Sequence, residues 1–220
     1  MTGRDRHAFA PGIYLVTDTQ LCGSRGVVET VKAAVAAGIR TVQIRDKTAS
    51  GTDLYDLLFQ AGQAVGDVAT VLVNDNVDVY LAARADGPIV HGVHIGQNDL
   101  SPAQVRAMVG QEAIIGLSAN TEGHLNQVHA LPGDTVDYLG VGAIRPTSTK
   151  PDHPVPLGLA GFQAIVAATR LPCVAIGGVG LADVRPLRRA GAAGVAVVSA
   201  ICAADDPSRA AADLVKEWTQ

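Results

Sequence analysis

Cysteine is scarce in this sequence: Cys22, Cys173 and Cys202 are scattered, odd in number and without a C-x-x-C pair. That spacing argues against a disulfide framework and against a zinc site. Basic residues are in no excess either. The formal net charge is −4, so no broad cationic surface exists for gripping a nucleic-acid backbone. No stretch approaches the roughly 20 apolar residues that a bilayer crossing needs, and the polar run from Met1 to Ala10 offers nothing like a signal sequence. These absences point to a cytoplasmic protein whose partners include neither membrane nor nucleic acid. The dinucleotide signature G-x-G-x-x-G is also missing after the first apolar run, where Leu15-Val16-Thr17-Asp18-Thr19-Gln20 stands instead. An open doubly wound nucleotide-binding sheet is thereby disfavoured.

What the sequence does have is material for a core. Hydrophobic residues make up 48% of its 220 positions and charged residues 17%, which excludes global disorder. Short Val/Ile-rich runs alternate with Ala-rich amphipathic stretches throughout. The runs are Ile13–Thr17, Thr41–Ile44, Thr70–Val73, Gly92–Ile95, Ile114–Leu117, Tyr138–Val141, Cys173–Ile176 and Gly194–Val198. Helices are expected near 26–37, 52–65, 76–84, 101–109, 121–130, 158–169, 181–190 and 207–218. Ser101-Pro102 and Asp206-Pro207 supply start signals. Eight strand–helix units in strict alternation, with continuously apolar strands, predict a parallel sheet closed into a single (β/α)₈ TIM barrel. One domain, 1–220, is expected, with 1–12 as an N-terminal extension.

Ligands of such barrels bind where strands end and the following loops begin. After the second strand, Gln43, Arg45 and Lys47 alternate and are expected to point together. At the barrel mouth they would form a cationic fork for phosphate or diphosphate; read alone, they would be a solvated strand end. Asp75, after the third strand, and Asp99, after the fourth, are each a metal ligand or an ordinary cap or turn residue. Beside a cationic fork the pair suggests Mg²⁺ held by carboxylates and phosphate oxygens. Ser118 and Asn120 follow the fifth strand and offer a hydroxyl and an amide, or helix caps. The loop Gly142-Ala143-Ile144-Arg145-Pro146-Thr147-Ser148-Thr149-Lys150-Pro151 has the composition of a substrate-gripping lid; read alone, it would be a flexible surface loop. Gly177-Gly178 after the seventh strand and Val198-Ser199 after the eighth suit a phosphate approaching backbone N–H groups. His94, near a strand end, is read as a hydrogen-bonded core residue.

Taken in order, these segments resemble the thiamine-phosphate synthase (thiamine-phosphate pyrophosphorylase) family. The carrying motifs are Gln43-Ile44-Arg45-Asp46-Lys47, Val73-Asn74-Asp75, His94 to Asp99, Gly116-Leu117-Ser118, Pro146 to Lys150, Ala175 to Gly178 and Val197-Val198-Ser199. The resemblance runs from about Ile13 to the last helix. It implies joining of 4-amino-2-methyl-5-hydroxymethylpyrimidine diphosphate to a thiazole phosphate, often carboxylated, with release of diphosphate. By the same resemblance Gln43, Arg45, Lys47 and Asn74 would hold the pyrimidine diphosphate, and Asp75 and Asp99 would ligate Mg²⁺. Ser118 and Lys150 would contact the pyrimidine substrate. Thr147 and Thr149 would contact the thiazole, and Gly178, Val198 and Ser199 would cradle its phosphate. Arg45, Lys47, Ser118 and Lys150 would carry the catalysis. The sequence departs from the family pattern at an apparently extra Pro88 to Gly92, and at Asn120 and Arg145, where a histidine and an aromatic residue are expected.

A dissociative reaction fits these residues, because an electron-rich aminopyrimidine stabilises a positive CH₂ centre. Such a route needs Mg²⁺ and cations on the leaving group more than a general base. Rival readings are a thiazole tautomerase, a sugar-phosphate isomerase or epimerase, and a non-catalytic phospholigand sensor. Association into a homo-oligomer is left open.

Overall fold

The computed structural model describes residues 6, 9–147 and 155–220. Eight parallel strands close into one barrel in sequence order: β1 (Gly12–Val16), β2 (Thr41–Ile44), β3 (Thr70–Asn74), β4 (Gly92–Ile95), β5 (Ile114–Ser118), β6 (Tyr138–Val141), β7 (Cys173–Ile176) and β8 (Gly194–Val197). Closure is made by β1 pairing with β8, Tyr14 opposite Ala196. Each strand falls within a residue of its expected place, since runs buried on both faces are apolar at most positions.

Helices cover the outside: α1 (Thr19–Cys22), α2 (Val27–Ala36), α3 (Gly51–Val65), α4 (Val77–Ala85), α5 (Pro102–Val109), α6 (Glu122–His129), α7 (Gly158–Ala167), α8 (Leu181–Arg189), α9 (Ser199–Cys202) and α10 (Pro207–Thr219). Both anticipated start signals are used. Ser101 closes a capping box with Gln104 ahead of α5, and Asp206 caps α10 by accepting from the Arg209 N–H. The four-residue helices α1 and α9 were not expected, being too short to show a helical period. None of the described helices is long and apolar enough to cross a membrane.

Alternation splits the core in two. Outward residues such as Leu15, Val42, Val71 and Val93 pack beneath the helices, while Tyr14, Val16, Leu72, Ile114, Tyr138, Val174 and Ala196 fill the barrel itself. Glycines make the inner packing possible. A Cβ at Gly116 would collide with the Tyr138 ring and with His94, and one at Gly140 would meet the His94 imidazole. Gly116→Ala would therefore overpack the barrel, at a cost of about 1–3 kcal/mol.

The base of the barrel is tied by charge. Asp137, just before β6, accepts from Arg6 at 2.7 Å and Arg106 at 2.8 Å, and also from the Ile115 N–H. Above this cluster Phe9 packs on Tyr138, ring centroids 5.3 Å apart. Part of the N-terminal extension thus belongs to the barrel floor. The extra residues before β4 also have a seat, because Pro88, Ile89 and Val90 lie against Gly62 and Gly66 at the end of α3. His91 continues the sheet pairing, donating to the Val71 carbonyl and accepting from the Ile114 N–H. The insertion therefore leaves the start of β4 in place.

Candidate functional site

The strand ends carry a cluster of polar side chains drawn from separate segments. After β3 the backbone turns sharply at Asp75, whose φ of 62° places a non-glycine residue in the left-handed region. The Asp75 N–H donates to the His94 carbonyl, which fixes this turn against β4. Capping does not explain the carboxylate, since the N-cap of α4 is Asn76. Asp75 instead forms an ion pair with Lys47 at 2.5 Å and lies within hydrogen-bonding reach of Asp99.

Asp99 is likewise free of capping duty, because Ser101 caps α5. Its Oδ2 accepts from the Gly96 N–H at 2.7 Å, closing the loop after β4 and aiming the carboxylate at Asp75. Burial pushes the Asp99 carboxyl above its usual range and the Asp75 charge pushes it further, against a lowering by the Gly96 N–H and Lys47. Two carboxylates thus share one ammonium group. The arrangement, among the described residues, is one positive charge short, which suits a divalent cation with oxygen ligands. Among the described residues no group of three or more His, Cys, Asp or Glu side chains forms a fuller metal cage.

The expected fork of Gln43, Arg45 and Lys47 does not form as one unit. Gln43 points into the barrel, where it is buried and donates to the Tyr14 hydroxyl at 2.8 Å. The strand ends at Ile44, so alternation ceases to govern the residues beyond it. The Arg45 backbone N–H donates to Thr17 Oγ1, and its guanidinium lies 3.6 Å from Asp18. Of these three, only Lys47 reaches the Asp75–Asp99 pair. Asp46, between them, turns away and accepts from the Thr48 and Ala49 N–H groups. Burial raises its carboxyl, but hydrogen bonds from Thr19, Thr48 and Ala49 hold it below the usual range.

Asn74 ends β3 on the inner face, opposite His94 of β4. Ser118 ends β5; its Oγ meets His94 Nε2 at 3.1 Å, and its carbonyl accepts from Gln97. Capping of α6 falls to Thr121, which leaves Ser118 uncommitted to a helix. Asn120 donates to the Gly142 carbonyl at 3.0 Å, joining the loops after β5 and β6. Arg145 extends to Asp183 at the start of α8, Nε to Oδ1 2.7 Å. That pair, absent from the sequence reading, ties the loop after β6 to the loop after β7.

Gly177 and Gly178 both have positive φ, 94° and 67°. A side chain at Gly178 would strike the Pro146 carbonyl and Arg145, so two backbones lie against each other there. Val198 is the N-cap of α9 and Ser199 its first residue, next to this glycine turn around the barrel. Thr147 is the last described residue of the loop; Thr149 and Lys150 lie outside the described residues. A cavity of about 440 Å³ sits at the opposite end, lined by residues such as Pro132, Asp134, Ala168 and Arg170, and includes none of the residues above.

Sequence reasoning missed Asp18 and Asp183, the partners of Arg45 and Arg145. Asp18 had a local signal as the N-cap of α1, accepting from the Leu21 N–H. The pairings themselves join distant segments and leave no such mark.

Comparison with known proteins bears on this constellation. A family model described as thiamine monophosphate synthase matches residues 13–201. A thiamine-phosphate synthase of Psychrobacter sp. (strain PRwf-1) is 43% identical, covering 99% of this chain and 100% of its own length. One from Xanthobacter autotrophicus (strain ATCC BAA-1158 / Py2) is 46% identical, with 90% and 91% covered. Among solved structures, thiamine phosphate pyrophosphorylase from Pyrococcus furiosus superposes with a TM-score of 0.82 at 29% identity, covering 97% of each chain.

Proposed function

The chain belongs to the thiamine monophosphate synthase family, and we propose that it joins an aminopyrimidine diphosphate to a thiazole phosphate, releasing diphosphate. The observation that carries this reading is the meeting of Lys47, Asp75 and Asp99 above the ends of β2, β3 and β4. A leaving diphosphate needs cations, and a carboxylate pair with one ammonium group has room for another positive charge.

On this reading Asp75 and Asp99 would hold Mg²⁺, which would supply positive charge to the departing diphosphate. Lys47 and Arg45 would contribute cations at the same rim, and by the family resemblance Lys150, outside the described residues, would supply a third. Gln43, Asn74 and Ser118 hold the pyrimidine from the inner face of the barrel. Thr147 and Thr149 contact the thiazole. The positive-φ glycine turn at Gly178, with Val198 and Ser199, receives its phosphate through backbone N–H groups. The aminopyrimidine stabilises the positive CH₂ centre left by diphosphate departure, and the thiazole nitrogen attacks with its own lone pair. No protein base is needed for that attack. Cytoplasmic residence belongs to the same reading.

The test is to mix both substrates with Mg²⁺ and follow diphosphate and thiamine phosphate. Stoichiometric formation of both is expected. Absence of diphosphate release with intact, folded protein would reject the reading.

A further inference from the structure

Inside the barrel a continuous hydrogen-bond chain links β2 to β5. Gln43 Nε2 lies 2.8 Å from the Tyr14 hydroxyl, and Tyr14 lies 2.8 Å from the Tyr138 hydroxyl. Tyr138 is 2.9 Å from His94 Nδ1, and His94 Nε2 is 3.1 Å from Ser118 Oγ. The chain has a direction. Gln43 donates its N–H to Tyr14, so the single proton of Tyr14 is free to point only at Tyr138. Tyr138 in turn directs its proton at His94 Nδ1. Burial raises both phenols, which keeps those protons in place. An imidazole that accepts at Nδ1 carries its proton on Nε2. Ser118 then accepts from His94, and among the described residues its own proton is given no acceptor by this hydrogen-bond chain.

We propose that His94 is a positioning residue, held as the Nε2–H tautomer so that Ser118 presents its hydroxyl proton to an acceptor on the bound pyrimidine diphosphate. The glycines at 116 and 140 serve the same arrangement, since side chains there would displace the His94 ring. The inference rests on the proposed reaction only for the identity of the ligand. The tautomer follows from the barrel interior alone.

Two measurements test it. Long-range ¹H–¹⁵N correlation on protein labelled at histidine nitrogen reports the tautomer, with His94→Gln identifying the signal. Protonation at Nε2 is expected, and loss of a single tautomer in Tyr138→Phe. A proton on Nδ1, or on both nitrogens, overturns the proposal. Binding of the pyrimidine diphosphate alone, with Mg²⁺ present, tests positioning. Ser118→Ala and His94→Leu should each weaken binding about tenfold, and the double variant no more than either. His94→Gln, whose amide N–H can replace Nε2–H, should recover most of the affinity. Multiplying losses in the double variant, or full affinity in His94→Leu, would reject it. Should no diphosphate be released with both substrates, the reaction fails while the tautomer result stands.

Discussion

Charge is concentrated at both ends of the barrel, and the two ends handle it in opposite ways. At the base, Asp137 lies between Arg6 and Arg106, with all three side chains 7% exposed. Every bond there is spent: Arg106 also donates to the Thr135, Gly110 and Ala113 carbonyls, and Arg6 to that of Asp134. Burial lowers the Arg106 guanidinium, and Asp137 offsets only part of that lowering. Such a closed cluster holds elements together. At the rim, Lys47 is 55% exposed, Asp75 is strained, and Asp99 is pushed towards protonation by burial and then by its neighbour. On the proposed reading, that end is completed by substrate and metal. Buried charge held by its partners serves the fold, whereas the charge left short at the strand ends is, on the proposed reading, kept for binding.

The contrast is broken most sharply by Asp75→Ala. Turnover should fall by about 10²–10³-fold, as when a group stabilising transition-state charge is lost, while the melting temperature stays close to that of the wild type. Lys150→Ala should behave in the same sense. Wild-type steady-state rates in either variant would remove that residue from the proposed site. Asp137→Ala should do the reverse, leaving two buried guanidinium groups unpaired at a cost of about 3–5 kcal/mol. Denaturant unfolding measures that loss, and unchanged stability would show that the base is not a structural tie.

A pH series sharpens the comparison. Because folding raises the Asp99 carboxyl, the native state takes up a proton more readily than the unfolded chain. Relative to Asp99→Asn, the wild type should lose stability as pH rises from the ordinary aspartate range through the raised value. Thermal stabilisation by Mg²⁺ should shrink over the same window as pH falls, because protons compete for the carboxylate. A Mg²⁺ response independent of acid pH would count against Asp99 as a ligand. The smallest effect is expected for Lys47→Met, which should change stability by less than about 1 kcal/mol because the pair is half in water. A large stability loss would move Lys47 from the binding end of the contrast to the structural one.

The architecture was legible because burial on both faces writes itself into local sequence. Strands such as Tyr138–Val141 and Gly194–Val197 are buried at every position and almost wholly apolar, and helix starts such as Asp206-Pro207 carry their own capping chemistry. Asp75 and Asp99 were legible as a candidate pair because both follow strands that are neighbours in a closed sheet. What stayed hidden was partner choice. Arg45 turns to Asp18, Lys47 alone reaches Asp75, and Gln43 leaves the group for the barrel interior. Strand alternation stops at Ile44, and nothing local decides where a long side chain goes after that. Cys22 and Cys202, which look unrelated along the chain, also come within hydrogen-bonding reach across the β1–β8 closure.

By itself the sequence determined the eightfold alternation and the set of polar residues at strand ends, since both follow from short-range periodicity and hydropathy. Tertiary structure alone decided which charges are satisfied and which are left short, and it alone assembled the chain from Gln43 to Ser118. The physical reason is that closing the barrel brings together groups from opposite ends of the sequence. Their hydrogen-bonding sense and protonation depend on distances and burial that no local pattern encodes.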